Sequence, residues 1–228
     1  MILAAGFGTR LKPLTDSIPK ALIKIDGKPM IQIVLDKLIE FGIKEVVINT
    51  HHHSEQVENY FNENDFGIKV HLLNEKKILG TGGGIKNARA YLESSNDFLV
   101  HNVDVISSLD PGDFYRFHTA HSSMVTLALK KRDTLRPLII DENMSVVGRK
   151  NDSDILTYKE AVGNISDIGF CGIHIISSKI FSHFSEEGFF DIFTTYFRLI
   201  KEGFKIIGYD IGNRSWIDLC KSVPIYKK

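Results

Sequence analysis

The chain opens MILAAGFGTRLKPLTDSIPKAL, and this stretch holds the groups best suited to grip an anion. Gly6 and Gly8 interrupt an apolar start, and Thr9, Arg10 and Lys12 follow at once. Glycines let backbone N–H groups approach an anion closely, and positive side chains complete the cradle. Arg10 can hold phosphate oxygens through two parallel hydrogen bonds, whereas Lys20 delivers a compact point charge. A triphosphate whose leaving group gathers charge would use both. Two other phosphate loops fail on the residues present. No segment supplies Gly-x-x-x-x-Gly-Lys-Ser/Thr. A dinucleotide fingerprint wants glycine where Leu11 stands and an acid closing the second strand, which ends instead in Asn49-Thr50.

The acids come next. Asp104 ends the apolar run LVHNVDV, where an α/β sheet presents its carboxyl edge to ligands. A carboxylate there suits Mg²⁺, which prefers one or two carboxylates together with phosphates and water. GTGGGIK, residues 80–86, reads as a glycine loop ahead of a helix, a floor for a flat base and ribose. Glu75 lies a few residues earlier. His51, His52 and His53 are adjacent and cannot converge on one ion, so they read as a loop beside the cleft. Cys171, inside apolar GFCGIHII, reads as a small core residue.

Periodicity supplies the elements that position these groups. Ile2–Ala5, 44–49, 68–73 and 97–104 read as strands. Residues 31–41, a stretch from an N-cap at Ser54 to about Phe61, and 84–92 read as helices, with Gly42 a helix stop. Strand alternating with helix predicts a layered α/β domain built on a largely parallel sheet. Residues 123–129, 169–177 and 204–210 read as further strands and 190–200 as a helix. The polar run Arg149–Asp154 reads as a loop inside the domain. No repeat or linker divides the chain, which predicts one domain over 1–228.

The chain has 228 residues, long enough for a full core, and its 28 Lys+Arg balance 28 Asp+Glu. That balance argues against a nucleic-acid partner. No apolar run is long enough to span a membrane, and no signal core precedes the first strand. Two distant cysteines, Cys171 and Cys220, suit a reducing, cytoplasmic setting.

The segment LAAGFGTRLKPLTDSIPKAL resembles the N-terminal motif of the sugar-1-phosphate nucleotidyltransferases, which join a sugar 1-phosphate to a nucleoside triphosphate. The resemblance continues through VVINTHHHSEQVENYF, LGTGGGIKNA and NVDV to SWIDL, and is looser between about 131 and 170. It implies a Rossmann-like, three-layer α/β fold (GT-A-like) with a mixed central sheet. The implied nucleotide set is Ala4, Ala5, Gly6, Gly8, Thr9, Arg10, Lys20, Thr81, Gly82, Gly83 and Asn102. Arg10, Lys20 and Asp104 would be catalytic, and Asp104 and Asp218 would hold Mg²⁺. The family more often has glycine before the first acid and another soon after the second, where Val103 and Cys220 stand here. Gly148, Asp141 and Gly172 are the sugar-phosphate candidates. Residues 1–110 would bind nucleotide and 111–228 the sugar phosphate, in a monomer or homodimer. The chain is similar to short members such as N-acetylmuramate-1-phosphate uridylyltransferases and mannose- or heptose-1-phosphate guanylyltransferases. Transfer to a different phosphate such as phosphocholine, and a regulatory module that binds without turnover, are the alternatives.

Overall fold

The protein is described by a computed structural model that covers residues 1–151 and 154–222. Its centre is a ten-stranded mixed sheet. Ile2–Leu3 lies between the parallel strands Glu45–Thr50 and Asp97–Asn102, and Lys69–Asn74 extends the parallel side. On the other side Ser166–Ser177 runs antiparallel to Asp97–Asn102. That long strand also pairs with Val125–Lys130, which carries Ile206–Asp210 beyond it, and with Leu138–Ile140.

Alternation along the central strands feeds two faces. Ile2, Val46 and Ile48 pack with Met30, Ile31, Val34, Leu35 and Leu38 of the Met30–Glu40 helix. Leu3, Val47 and Val100 face the opposite side, with Ile85, Ala88 and Tyr196. The spacing of 30, 31, 34, 35 and 38 puts one apolar stripe on the sheet, and Gly42 ends the helix with a φ of 82°. A third cluster centres on Phe114 of the Pro111–His121 helix. Asp110 caps that helix by accepting from Asp113 N–H at 2.9 Å, with proline at the first position. Among the described residues no helix is long and apolar enough to cross a membrane.

Several expectations are corrected. Ser54 is the first residue of its helix and not the cap; His53 precedes it with a φ of 54°. The described part of Arg149–Asp154 is strand: Arg149–Asn151 end the strand Val146–Asn151 and Asp154 begins the strand Asp154–Thr157, which pairs with it antiparallel at the sheet edge. Asp152 and Ser153 lie outside the described residues. The helix Pro111–His121 and the short strands Val105–Ser107 and Trp216–Asp218 carry no strong period and were not expected.

Two fully buried histidines give the fold a pH dependence. Burial lowers the His101 imidazole to about 4 and the His174 imidazole to about 3, from an ordinary 6.5. His174 Nδ1 meets Tyr196 OH at 2.8 Å. Below pH 6.5 the unfolded chain takes up protons on these rings and the folded chain does not. Stability therefore falls as pH drops towards about 4, and each unit of displacement is worth about 1.4 kcal/mol. The melting temperature is expected to decline over this window, and to decline less in His174→Gln. A wild-type profile that stays flat there would refute the assignment.

Candidate active site

The opening loop closes over Lys20. Gly8 has a φ of 63°, and a Cβ there would meet Thr15 Cγ2 at 2.8 Å and Lys20 Cβ at 3.0 Å. Only glycine combines that backbone with that space. Thr15 Oγ1 donates to the Gly8 carbonyl at 3.1 Å, and the turn Thr9–Leu11 follows. The lysine side chain is thereby 12% exposed, with Nζ 3.2 Å from Asp104 Oδ2.

Asp104 and Asp218 are brought together by pairing of two three-residue strands, Val105–Ser107 and Trp216–Asp218, in which Asp218 faces Val105. Leu219 N–H donates to the Asp104 carbonyl at 2.8 Å and locks the register. Arg10 spans both acids, with Nη1 2.9 Å from Asp218 and Nη2 3.5 Å from Asp104. Burial works against an ionised Asp104, but the Lys20 ammonium and hydrogen bonds from Cys220 and Lys20 outweigh it. Its carboxyl therefore lies below the ordinary carboxylate range and stays ionised at neutral pH. Cys220 Sγ lies 3.2 Å from Asp104 Oδ2, and burial, then the Asp104 charge, push its thiol up to about 12. Donor atoms of Asp104, Asp218 and Cys220 all lie within 4.8 Å of one another. Two carboxylates at that spacing, balanced by lysine and arginine, fit a divalent cation.

Beside this cluster is a cavity of about 170 Å³ lined by Leu3, Ala5, Gly6, Asn49, Ile78, Gly80, Thr81 and Asn102, with Lys20 and Asp104 at its charged end. Larger hollows exist, including one of about 450 Å³ lined by Asp97 and His118, but they lack paired acids and cations of this kind. Chemistry, not volume, selects the site. Its wall is a buried polar chain. Ala4 N–H donates to Asn49 Oδ1 at 2.9 Å, Asn49 Nδ2 to Glu75 Oε1 at 2.7 Å, and Leu79 N–H to Glu75 Oε2 at 2.9 Å. Asn49 was missed as a site residue, although its place at the carboxyl end of a parallel strand was legible.

The glycine run departs from expectation. Gly80–Asn87 is helical and not a loop. A Cβ on Gly82 would enter the Phe190 ring, one on Gly83 would lie 2.5 Å from the Gly188 carbonyl, and one on Gly84 would lie 2.7 Å from Asn49 Nδ2. The glycines let this helix press against segment 188–192 and the sheet. Gly80 and Thr81 line the cavity, while Gly82 and Gly83 are buried on the packed side.

Residues 1–137, more than half of the chain, match the family described as nucleotidyl transferase. The chain belongs to that family. Its similarities in sequence and structure agree. Mannose-1-phosphate guanyltransferase beta-B of Xenopus laevis is 36% identical over 134 residues, covering 58% of this chain and 37% of the relative. The chain thus spans little more than a third of that relative's length. The D-glycero-alpha-D-manno-heptose 1-phosphate guanylyltransferase of Campylobacter jejuni is 29% identical over 185 residues, covering 81% of this chain and 78% of the relative. The crystal structure of HddC from Yersinia pseudotuberculosis matches with a TM-score of 0.76 and 26% identity, over 96% of this chain and 92% of that one. The nucleotidyl transferase family generally uses a divalent metal.

In this nucleotidyltransferase fold the three sugar-phosphate candidates part company. Gly172, with a φ of 74°, packs where a Cβ would lie 2.9 Å from Asn102 Nδ2, so it borders the cavity wall. Gly148 lies between two strands, its missing Cβ 2.5 Å from the Leu156 carbonyl. Asp141 is 3% exposed and fully committed: it accepts from Asn143 and Ser145 N–H at 3.0 and 2.9 Å and from Val162 N–H at 3.3 Å. It holds the hairpin turn instead of facing a ligand. Asp141→Ala is expected to destabilise by about 3 kcal/mol in urea unfolding. Turnover per folded molecule is expected to persist, and its loss in a normally stable variant would restore a sugar role. The histidines clamp the neighbouring loop: His51 Nδ1 donates to the Glu75 carbonyl, His52 Nε2 to that of Thr15 and His53 Nε2 to that of Asp16.

Proposed function

We propose that this protein transfers a nucleotidyl group from a nucleoside triphosphate to a sugar 1-phosphate, releasing pyrophosphate and an NDP-sugar. The observation that carries this reading is the cluster of Lys20, Arg10, Asp104 and Asp218, of which Lys20 and Asp104 stand at the charged end of a small cavity on the carboxyl edge of the sheet. A sugar phosphate oxygen attacks the α-phosphorus, and the bond to the bridging oxygen of the β-phosphate breaks in line. Such transfer depends on positioning and charge neutralisation. Lys20 neutralises the α-phosphate and the incoming phosphate, and Arg10 holds the departing pyrophosphate. Gly6, Gly8 and Thr9 supply close backbone approach, and Ala4, Ala5, Thr81 and Asn102 shape the nucleoside end. Asp104 and Asp218 would hold the divalent ion, magnesium in this reading, which supplies Lewis-acid neutralisation of the phosphates when bound. Residues 1–110 carry the nucleotide side and 111–228 the sugar-phosphate side.

The names of the relatives favour GTP as donor and a mannose- or heptose-type 1-phosphate as acceptor. A choline-type acceptor is disfavoured, because the Trp216 face that could cage it is covered by the Arg132 guanidinium at 4.3 Å. Pyrophosphate release, scanned over four nucleoside triphosphates and a panel of sugar 1-phosphates, tests the proposal. Release that needs one particular pair supports it. Nucleotide binding with no release from any pair would favour a regulatory module.

A further inference from the structure

The third member of the acid cluster is a thiol. Cys220 is 6% exposed, its Sγ lies 3.2 Å from Asp104 Oδ2, and its N–H donates to Asp218 Oδ1 at 3.0 Å. The turn from Asp218 to Cys220 therefore aims a carboxylate and a sulfur at one point, beside the Asp104 carboxylate. Oxygen donors alone suit magnesium, which dehydrates reluctantly and gains little from sulfur. A thiolate is a soft ligand that favours zinc and its thiophilic neighbours. The half-exposed Arg10 side chain can leave the acids as the ion enters.

We propose that Cys220 is a direct ligand of the divalent ion at Asp104 and Asp218, so that this centre binds zinc and cobalt(II) more tightly than the two acids alone would allow. The thiol proton passes to solvent on binding. This rests on the reading of the two acids as the divalent centre, and the two readings fail separately. Cobalt(II) titrated into the full chain is expected to give a near-ultraviolet sulfur-to-cobalt charge-transfer band. Cys220→Ser should abolish the band, and Cys171→Ala should retain it. Zinc affinity, measured against a chromophoric chelator, should fall at least about tenfold in Cys220→Ser while magnesium affinity by calorimetry stays within twofold. Should that variant fail to fold, Cys220→Gly serves in its place, and the wild-type spectrum decides by itself. Stoichiometric cobalt binding without the band, or unchanged zinc affinity in the variant, overturns the cysteine ligand while leaving the carboxylate centre intact. Cobalt binding that survives Asp104→Asn unchanged overturns both.

Discussion

Lys20→Ala is expected to lower turnover by at least about a hundredfold, the scale at which one preorganised charge-stabilising group is lost. The side chain is nearly enclosed and its Nζ sits 3.2 Å from Asp104. It therefore meets developing phosphate charge without first being stripped of bulk water. Arg10 cannot substitute, because it is 53% exposed and already divided between Asp218 and Asp104. Lys20→Arg should not restore activity, since a planar, delocalised guanidinium does not put a compact point charge where the ammonium sits, 3.2 Å from Asp104. Loss of the ammonium also leaves Asp104 buried with a weaker partner, so a fall in melting temperature is expected alongside. Pyrophosphate release must accordingly be normalised to folded protein. Near-normal turnover in a folded Lys20→Ala variant would remove this residue from the mechanism.

Gly82→Ala is expected to destabilise the protein by about 1–3 kcal/mol, the usual cost of overpacking. The expectation runs against helix propensity. In an exposed helix interior the same change would stabilise by about 1 kcal/mol. Here the new methyl would enter the Phe190 ring and lie 3.1 Å from Ile192 Cα. Gly82 N–H also donates to the Phe190 carbonyl at 3.0 Å, so the helix cannot simply slide away. Urea unfolding gives the sign directly. A gain in stability would show that the packing around Phe190 yields, and that the run is glycine for another reason. Thr81 couples this packing to the cavity: its hydroxyl accepts from Ile192 N–H at 2.9 Å while the residue lines the pocket wall. A rise in KM for nucleotide should therefore accompany the loss.

The sequence by itself determined the parallel half of the sheet, the glycine-bent opening loop with Lys20 behind it, and Asp104 at the edge of the sheet. Each is written locally: alternating apolar strands, a glycine pair that permits one backbone shape, and an acid at a strand end. The family resemblance already paired Asp104 with Asp218, and only the tertiary structure decided how the two acids meet. Asp218 reaches Asp104 through a pairing of Val105–Ser107 with Trp216–Asp218, two strands too short to show a period. The same pairing delivers Cys220, which in the sequence is only a residue standing where glycine is usual. Asp141 sits between strands as a sugar candidate would, yet the hairpin folds backbone amides onto both its oxygens. The run at 80–84 reads as a loop because glycine has poor helix propensity, and close packing against residues 188–192 reverses that preference. Local backbone preference is encoded residue by residue. Pairings between residues more than a hundred positions apart are settled by which surfaces fit once the chain has collapsed.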